Sequence, residues 1–245
     1  MAIIHCTILP KTAQRNHSKG RCGQLKSLAK NSMNKIVYIL PLFILTIIGC
    51  KTQENKPTDF IPKGYVEFEK HFGDLNKDGL EDCVLIIKKT DTTKIVINQF
   101  DKRVDRNRRG IIVLLKSKNG YQLADKNYNC FSSENEDGGV YFSPDLWIAI
   151  TEAKLYVHYD HGRYGNWKYT FRFQNSNFEL IGYDSSSNDG PVTERQTSIN
   201  FLTKKKLIKE KTYENTEETW NNIQLENLIK LSEIKDFDEL DMYNY

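Results

Sequence analysis

Between Lys168 and Gln174 the chain reads KYTFRFQ with a period of two. Tyr169, Phe171 and Phe173 fall on one side of an extended backbone, and Lys168, Thr170 and Arg172 on the other. A helix would scatter those rings around its circumference, so this stretch must be a half-buried strand. The pattern recurs nearby. CVLIIKK from Cys83 is a short apolar, β-branched run of the buried-strand type, and IIVLLKSKNGYQLADKNYN is a hairpin turning at Lys118-Asn119-Gly120. VYFSPDLWIAI and the span from Thr151 to Ser186 add further strands, with turns at residues 162–166 and 175–177, and TSINFLTKKKLIKEKTY reads as a last hairpin. Thirteen Tyr and twelve Phe among 245 residues agree with strands rather than a helical bundle. Only residues 217–235 have helical spacing, with Trp220, Ile223, Leu228, Leu231 and Ile234 near one side. The expected class is mainly β: an antiparallel sheet domain, a sandwich or a propeller-like fragment, with a short C-terminal helix. The chain is long enough for one proper core and short for two.

The beginning of the chain is of a different kind. Residues 36–48, IVYILPLFILTII, form an apolar run too short and Pro-interrupted for a comfortable membrane span, preceded by Lys35 and ended by Gly49-Cys50. The ending Ile47-Ile48-Gly49-Cys50 resembles the bacterial lipobox. That resemblance implies cleavage before Cys50, acylation of its side chain and amine, and attachment to a membrane of the cell envelope by lipid. Thirty-two residues ahead of Met33 are unusual for such a leader, so Met33 is the expected start and residues 1–32 are expected to have no structural role. The organisation read from the chain is therefore upstream sequence 1–32, leader 33–49, a polar flexible tether 50–63 and one β-rich domain 64–245.

The net charge of +3 mixes two regions. Seven of the 35 basic residues lie in residues 1–49, where there is no acid, so the remainder carries 28 basic residues against 32 acidic ones, a net −4. Such a body has no bulk attraction for nucleic acid. Beyond Cys50 the only cysteines are Cys83 and Cys130, and in an exported protein they are candidates for a disulfide, with two buried thiols as the alternative.

One motif has chemical content. Asp74, Asn76, Asp78, Gly79 and Asp82 form D-x-N-x-D-G-x-x-D, in which alternate side-chain oxygens, the Leu80 carbonyl and a sharp Gly turn can wrap a hard cation such as calcium. Leu85 stands where an EF-hand needs its bidentate Glu, which excludes that motif. The plainer alternative is a turn whose acids cap backbone amides. With Phe72-Gly73 in front and an apolar strand behind, FGDLNKDGLEDCVLII resembles the calcium loop of FG-GAP and VCBS modules. The resemblance implies a structural calcium, but a single copy does not imply their propeller. GDLNKDGLEDCVLII, RRGIIVLLKSKNGYQLA, EDGGVY and FELIGYDSS, in that order, also resemble a family of uncharacterised bacterial exported proteins and lipoproteins, which implies location and fold but no activity.

His158, Asp160 and His161, within VHYDHGRYGNW, could form a metal or acid-base site, with His71 or Glu134 as a further ligand. Arg163, Tyr164 and Trp167 beside them could equally make a sugar- or peptide-binding surface. Glu134, Glu136 and Asp137 could be paired carboxylates for hydrolysis, a second cation loop or a solvated acidic loop. No nucleophile elbow, phosphate-binding Gly loop or zinc-protease helix is present. The expected function is a non-catalytic, calcium-stabilised binding module at the envelope for a protein or glycan ligand. The alternative is a metal-assisted hydrolase using His158, Asp160 and His161.

Overall fold

The computed structural model describes residues 54–136, 143–213 and 215–245. The expected leader, Cys50 and Asp137 lie outside them. The mainly β class is borne out: among the described residues thirteen strands form antiparallel sheets in a sandwich-like arrangement.

The first sheet has the order β1 (Tyr65–Gly73), β2 (Asp82–Lys89), β5 (Arg109–Ser117), β6 (Gly120–Phe131). A small ribbon of β3 (Ile95–Ile97) and β4 (Arg103–Asp105) is inserted between its second and third strands. The second sheet has seven strands in simple meander order: β7 (Asp145–Thr151), β8 (Lys154–Asp160), β9 (Gly165–Gln174), β10 (Asn177–Asp189), β11 (Val192–Asn200), β12 (Lys205–Lys211) and β13 (Thr216–Asn222). The KYTFRFQ alternation lies in β9, where Tyr169 and Phe171 are buried.

Strand β2 is buried on both faces, which is why CVLII reads as an unbroken apolar run. Val84 and Ile86 join Ile111, Val113, Phe131, Leu155, Val157, Tyr169, Phe171 and Tyr183 in the main core. Cys83, Leu85 and Ile87, with Ile112 and Leu114, form a second cluster on the opposite face. Phe60 and Ile61 pack on that second cluster. The segment expected to be a flexible tether is therefore part of the domain from its first described residue. Asn55 bridges to Gly120 and accepts the Tyr121 amide at 3.2 Å, Glu54 pairs with Lys116, and Pro57–Phe60 is a 3-10 turn. Apolar residues among the polar ones, Phe60 and Ile61, supply the reason.

The expected C-terminal helix also takes another form. Residues 216–222 add β13 to the sheet edge, and helical geometry survives only as a 3-10 turn at Leu231–Glu233. The apolar residues at helical spacing instead serve a meandering segment in which Ile223, Leu231, Ile234, Phe237 and Met242 plug the core. The Phe237 ring lies 5.0 Å from Phe131 and 4.9 Å from Tyr169, and its amide donates to the Cys130 carbonyl at 3.0 Å.

The two sheets also meet along an edge. An added Cβ on Gly73 at the end of β1 would stand 2.5 Å from Ile150 Cγ2 of β7, so only glycine permits this approach. Nearer the start of both strands a cleft of ≈ 460 Å³ opens between them.

Candidate binding face and its neighbouring cleft

The loop between β1 and β2 is built on Asp82 and Asp74. Asp82 is fully buried; its Oδ2 accepts the Leu75 amide at 2.7 Å and its Oδ1 the Lys116 amide at 2.8 Å. Burial pushes its carboxyl up from the ordinary value, the two amides oppose that, and the charges of Asp78 and Asp74 add to the rise. Asp74 accepts amides from Asn76, Lys77 and Gly79 at 3.2, 2.6 and 2.9 Å. Desolvation raises its pKa, but these amides outweigh it and hold the carboxyl below its usual value. Lys77 and Gly79 take positive φ, +67° and +80°, the sharp turn that the motif requires. Asp78 Oδ1 accepts the Leu80 amide at 2.8 Å, and Asp78 Oδ2 the Asn76 side-chain amide at 2.9 Å. The carboxylates thus cap backbone amides, and among the described residues no three acidic, His or Cys side chains are grouped as a metal site. The residue types of the loop are nevertheless oxygen donors of the kind calcium prefers. Asp74 Oδ1 is filled by two amides, but Asp74 Oδ2 and both Asp78 oxygens accept only one bond each, and exposed Asp78 and half-buried Asn76 can turn without disturbing the core.

Of the two alternatives left open for the cysteines, the structure has the unbridged thiols. Cys83 and Cys130 are both free and buried, and they belong to cores on opposite faces of the first sheet. Adjacent side chains in a strand point to opposite faces, so parity in β2 and β6 separates the sulfurs.

The residues around His158 do not make one surface. His158 and Asp160 lie on the outward face of β8, whereas Trp167 turns inward and stacks on Tyr159 at 5.4 Å. His161, Arg163 and Tyr164 sit at the β8–β9 turn. There His161 and Tyr164 rings are 5.3 Å apart, Arg163 lies 5.1 Å over the Tyr164 ring, and Asp160 Oδ1 accepts the Gly162 amide at 2.7 Å. Asp160 is therefore a turn cap.

What the pairing does assemble is a row across the entire second sheet. Trp147 stands opposite His158, His158 opposite Lys168, Lys168 opposite Asp184, Asp184 opposite Ser198, Ser198 opposite Leu207 and Leu207 opposite Trp220. The adjacent row, Ile148, Val157, Tyr169, Tyr183 and Ile199, is buried, so this one faces outward. Both ends are exposed tryptophans, at 61% and 63%. Six strand spacings separate them, about 29 Å.

Between the tryptophans the charges neutralise one another. Lys168 Nζ is 3.3 Å from Asp184 Oδ2, and the Ser198 hydroxyl donates to Asp184 Oδ1 at 2.7 Å. The next outward row is polar throughout: Asp145, Asp160, Asn166, Ser186, Gln196, Lys209 and Glu218, with Lys209 and Glu218 paired at 2.5 Å. A depression of ≈ 320 Å³ lies over the middle of both rows.

At the Trp147 end this face runs into the cleft between β1 and β7. Trp147, Phe68, His71, Arg109 and Glu134 line the cleft. His71 Nε2 is 3.1 Å from Glu69 Oε2. Buried Lys88 pairs with Glu134 and lies 3.3 Å from Asp105 Oδ2. The Lys88 ammonium and the Arg109 guanidinium sit 5.6 and 5.4 Å from the Phe68 ring centre. Sequence reading noticed His71 and Glu134 as loose possibilities and missed Arg109, Trp147 and Trp220, whose grouping depends on strand register.

Compared with known proteins, the chain matches no family model, no curated protein and no solved structure. Among the described residues no helix is long and apolar enough to cross a membrane.

Proposed function

We propose that this protein is an envelope lipoprotein anchored through Cys50, whose calcium-stabilised domain binds an extended, uncharged glycan across the outer face of the seven-stranded sheet. The observation that carries the reading is the register row from Trp147 to Trp220. Aromatic faces stand at its two ends, and internally neutralised hydroxyl, amide and ion-pair groups lie between them.

The chemistry of the row selects the ligand class. A protein interface concentrates its energy in a central apolar and aromatic cluster, whereas here the aromatics are at the ends and the centre is polar. The five inner strands have both backbone edges paired, so they offer no main chain to an added strand. The two rows carry Lys168 and Lys209 against Asp145, Asp160, Asp184 and Glu218, so there is no positive field to attract a polyanion. A long, thin, hydroxyl-rich chain satisfies all three conditions: its ring faces lie on the tryptophans and its hydroxyls exchange hydrogen bonds with the floor.

The anchor reading rests on the leader and its lipobox-like ending. Cys50 precedes packed Glu54 by four residues, at most about 14 Å of extended chain, so a lipid on Cys50 would hold the domain close to the bilayer. The calcium reading rests on the donor set from Asp74 to Asp82 and on the mutual repulsion of its carboxylates, which a cation relieves.

The test is calorimetric titration of the mature chain with cellohexaose, xylohexaose and mannohexaose. Binding of at least one is expected, with at least a tenfold loss in Trp220→Ala and an unchanged melting midpoint, since that ring is exposed. No binding of any of the three, or binding indifferent to Trp220, refutes the reading.

A further inference from the structure

The cleft between β1 and β7 contains an arginine that the fold does not use up. Arg109 is only 6% exposed. Its Nε donates to the Ser132 carbonyl at 2.9 Å and stands 3.9 Å from Glu134 Oε2, and its flat guanidinium rests against the Phe68 ring. Among the described residues its two Nη groups donate to no acceptor. These donors are open to the cleft, where a bound group can accept from them in place of water.

The nature of that ligand follows from the balance of charge. The cations Lys88 and Arg109 are matched by Glu134 and Asp105, and the neighbouring His71 is joined to Glu69. Burial raises the Asp105 carboxyl, but hydrogen bonds from Asn107 and Lys88 outweigh this and leave it below its usual value, so it stays ionised. An added anion could reach Arg109 but would also face Glu134, Glu69 and Asp145. An added cation would face Lys88 and Arg109. A neutral group with oxygens that accept from Arg109 and hydroxyls that donate to Glu134 meets neither penalty. The volume, ≈ 460 Å³, lies within the about 300–1,000 Å³ typical of small-molecule sites.

Trp147 belongs both to the wall of this cleft and to the outer-face row. A chain lying along the row from Trp220 therefore ends here, because β7 is the edge strand of the sheet. We infer that the cleft is an end-recognition subsite: it takes the terminal, neutral pyranose of the glycan, with Arg109 and Glu134 hydrogen-bonding adjacent oxygens and Trp147 against the ring. This rests on the glycan reading above, but a cleft whose polar groups converge on one sugar residue differs from a face read along its length in one respect. It retains a single sugar residue unaided.

The experiment is tryptophan fluorescence titration of the mature chain with glucose, xylose and mannose and with the three hexaoses, for wild type, Trp220→Ala, Arg109→Gln and Glu134→Gln. The expected result is millimolar binding of one monosaccharide that Trp220→Ala leaves unchanged. Arg109→Gln and Glu134→Gln should each weaken it at least tenfold and weaken the matching hexaose as well. Glu134→Gln, on a partly exposed residue, decides the matter if Arg109→Gln fails to fold. Monosaccharide binding without hexaose binding would sink the face and keep the cleft. Hexaose binding indifferent to Glu134 and Arg109, or no monosaccharide binding at all, would overturn the subsite.

Discussion

The carboxylate of Asp82 receives the backbone amide of Lys116 at 2.8 Å, tying the mouth of the β1–β2 loop to the end of β5 across 34 residues of chain. Its other oxygen receives the buried Leu75 amide, so one buried side chain satisfies two backbone donors.

Replacing Asp82 by Asn leaves a single acceptor oxygen and orphans one of those amides. The expected cost is about 1–3 kcal/mol in urea unfolding without calcium. A loss within error would mean that the two amides find water.

If the loop takes calcium, the ion stabilises the native state alone. At a hundredfold excess over its Kd it should add about 2.7 kcal/mol. The melting midpoint in excess EDTA should rise on adding millimolar calcium, and Asp78→Ala should abolish the rise while leaving the EDTA midpoint nearly unchanged. An unresponsive wild type would leave the loop as a turn.

The two thiols should be chemically silent. Burial pushes Cys83 up to about 12 and raises Cys130 further, so neither offers thiolate at neutral pH. Ellman's reagent should react with both only after denaturation, and dithiothreitol should leave the melting midpoint unchanged. A downward shift with reductant would reveal a bridge.

Phe237 fills the space between the sheets against Phe131, Tyr169 and Phe171. Phe237→Ala should cost about 3–5 kcal/mol by chemical denaturation. A loss under about 1 kcal/mol would mean that the C-terminal segment lies on the core without plugging it.

Asp125 gives a pH signature. Burial raises its carboxyl above the ordinary 3.8, more than the Lys126 and Phe178 amides lower it. The native state therefore holds this proton more tightly than the unfolded chain. Its stabilising contribution is full below the unfolded value and is lost as pH rises through the raised native one. Asp125→Asn should flatten the fall of the melting midpoint as pH rises above the unfolded value of about 3.9, relative to wild type. An identical slope in the variant would assign the effect to other groups.

Local pattern carried much of this fold. Alternation in KYTFRFQ, the apolar run from Cys83 and the Lys118-Asn119-Gly120 turn each prescribe strand or hairpin from neighbouring residues, because side-chain parity and turn geometry are short-range properties. The oxygen spacing from Asp74 to Asp82 was legible for the same reason, and its sharp turn at Lys77 and Gly79 is present. The tail was not legible. Trp220, Ile223, Leu231 and Ile234 fit a helical period, yet β12 offers an unpaired edge and the gap between the sheets takes the rest. Tertiary burial outweighs a weak propensity.

Only tertiary structure decided the candidate site. Trp147 and Trp220 are 73 positions apart and become the two ends of one row through six successive strand registers; a one-residue slip in any of them would turn part of the row inward. Cys83 and Cys130 were parted, and Trp167 turned from His158, by the same parity. The sequence by itself determined that the chain would be stranded, where it would turn and which oxygens share a loop, since those depend on residues within a few positions of one another. Which faces meet, which donors stay unfilled and which rings line a cleft depend on long-range pairing, and that is settled only when the sheets close.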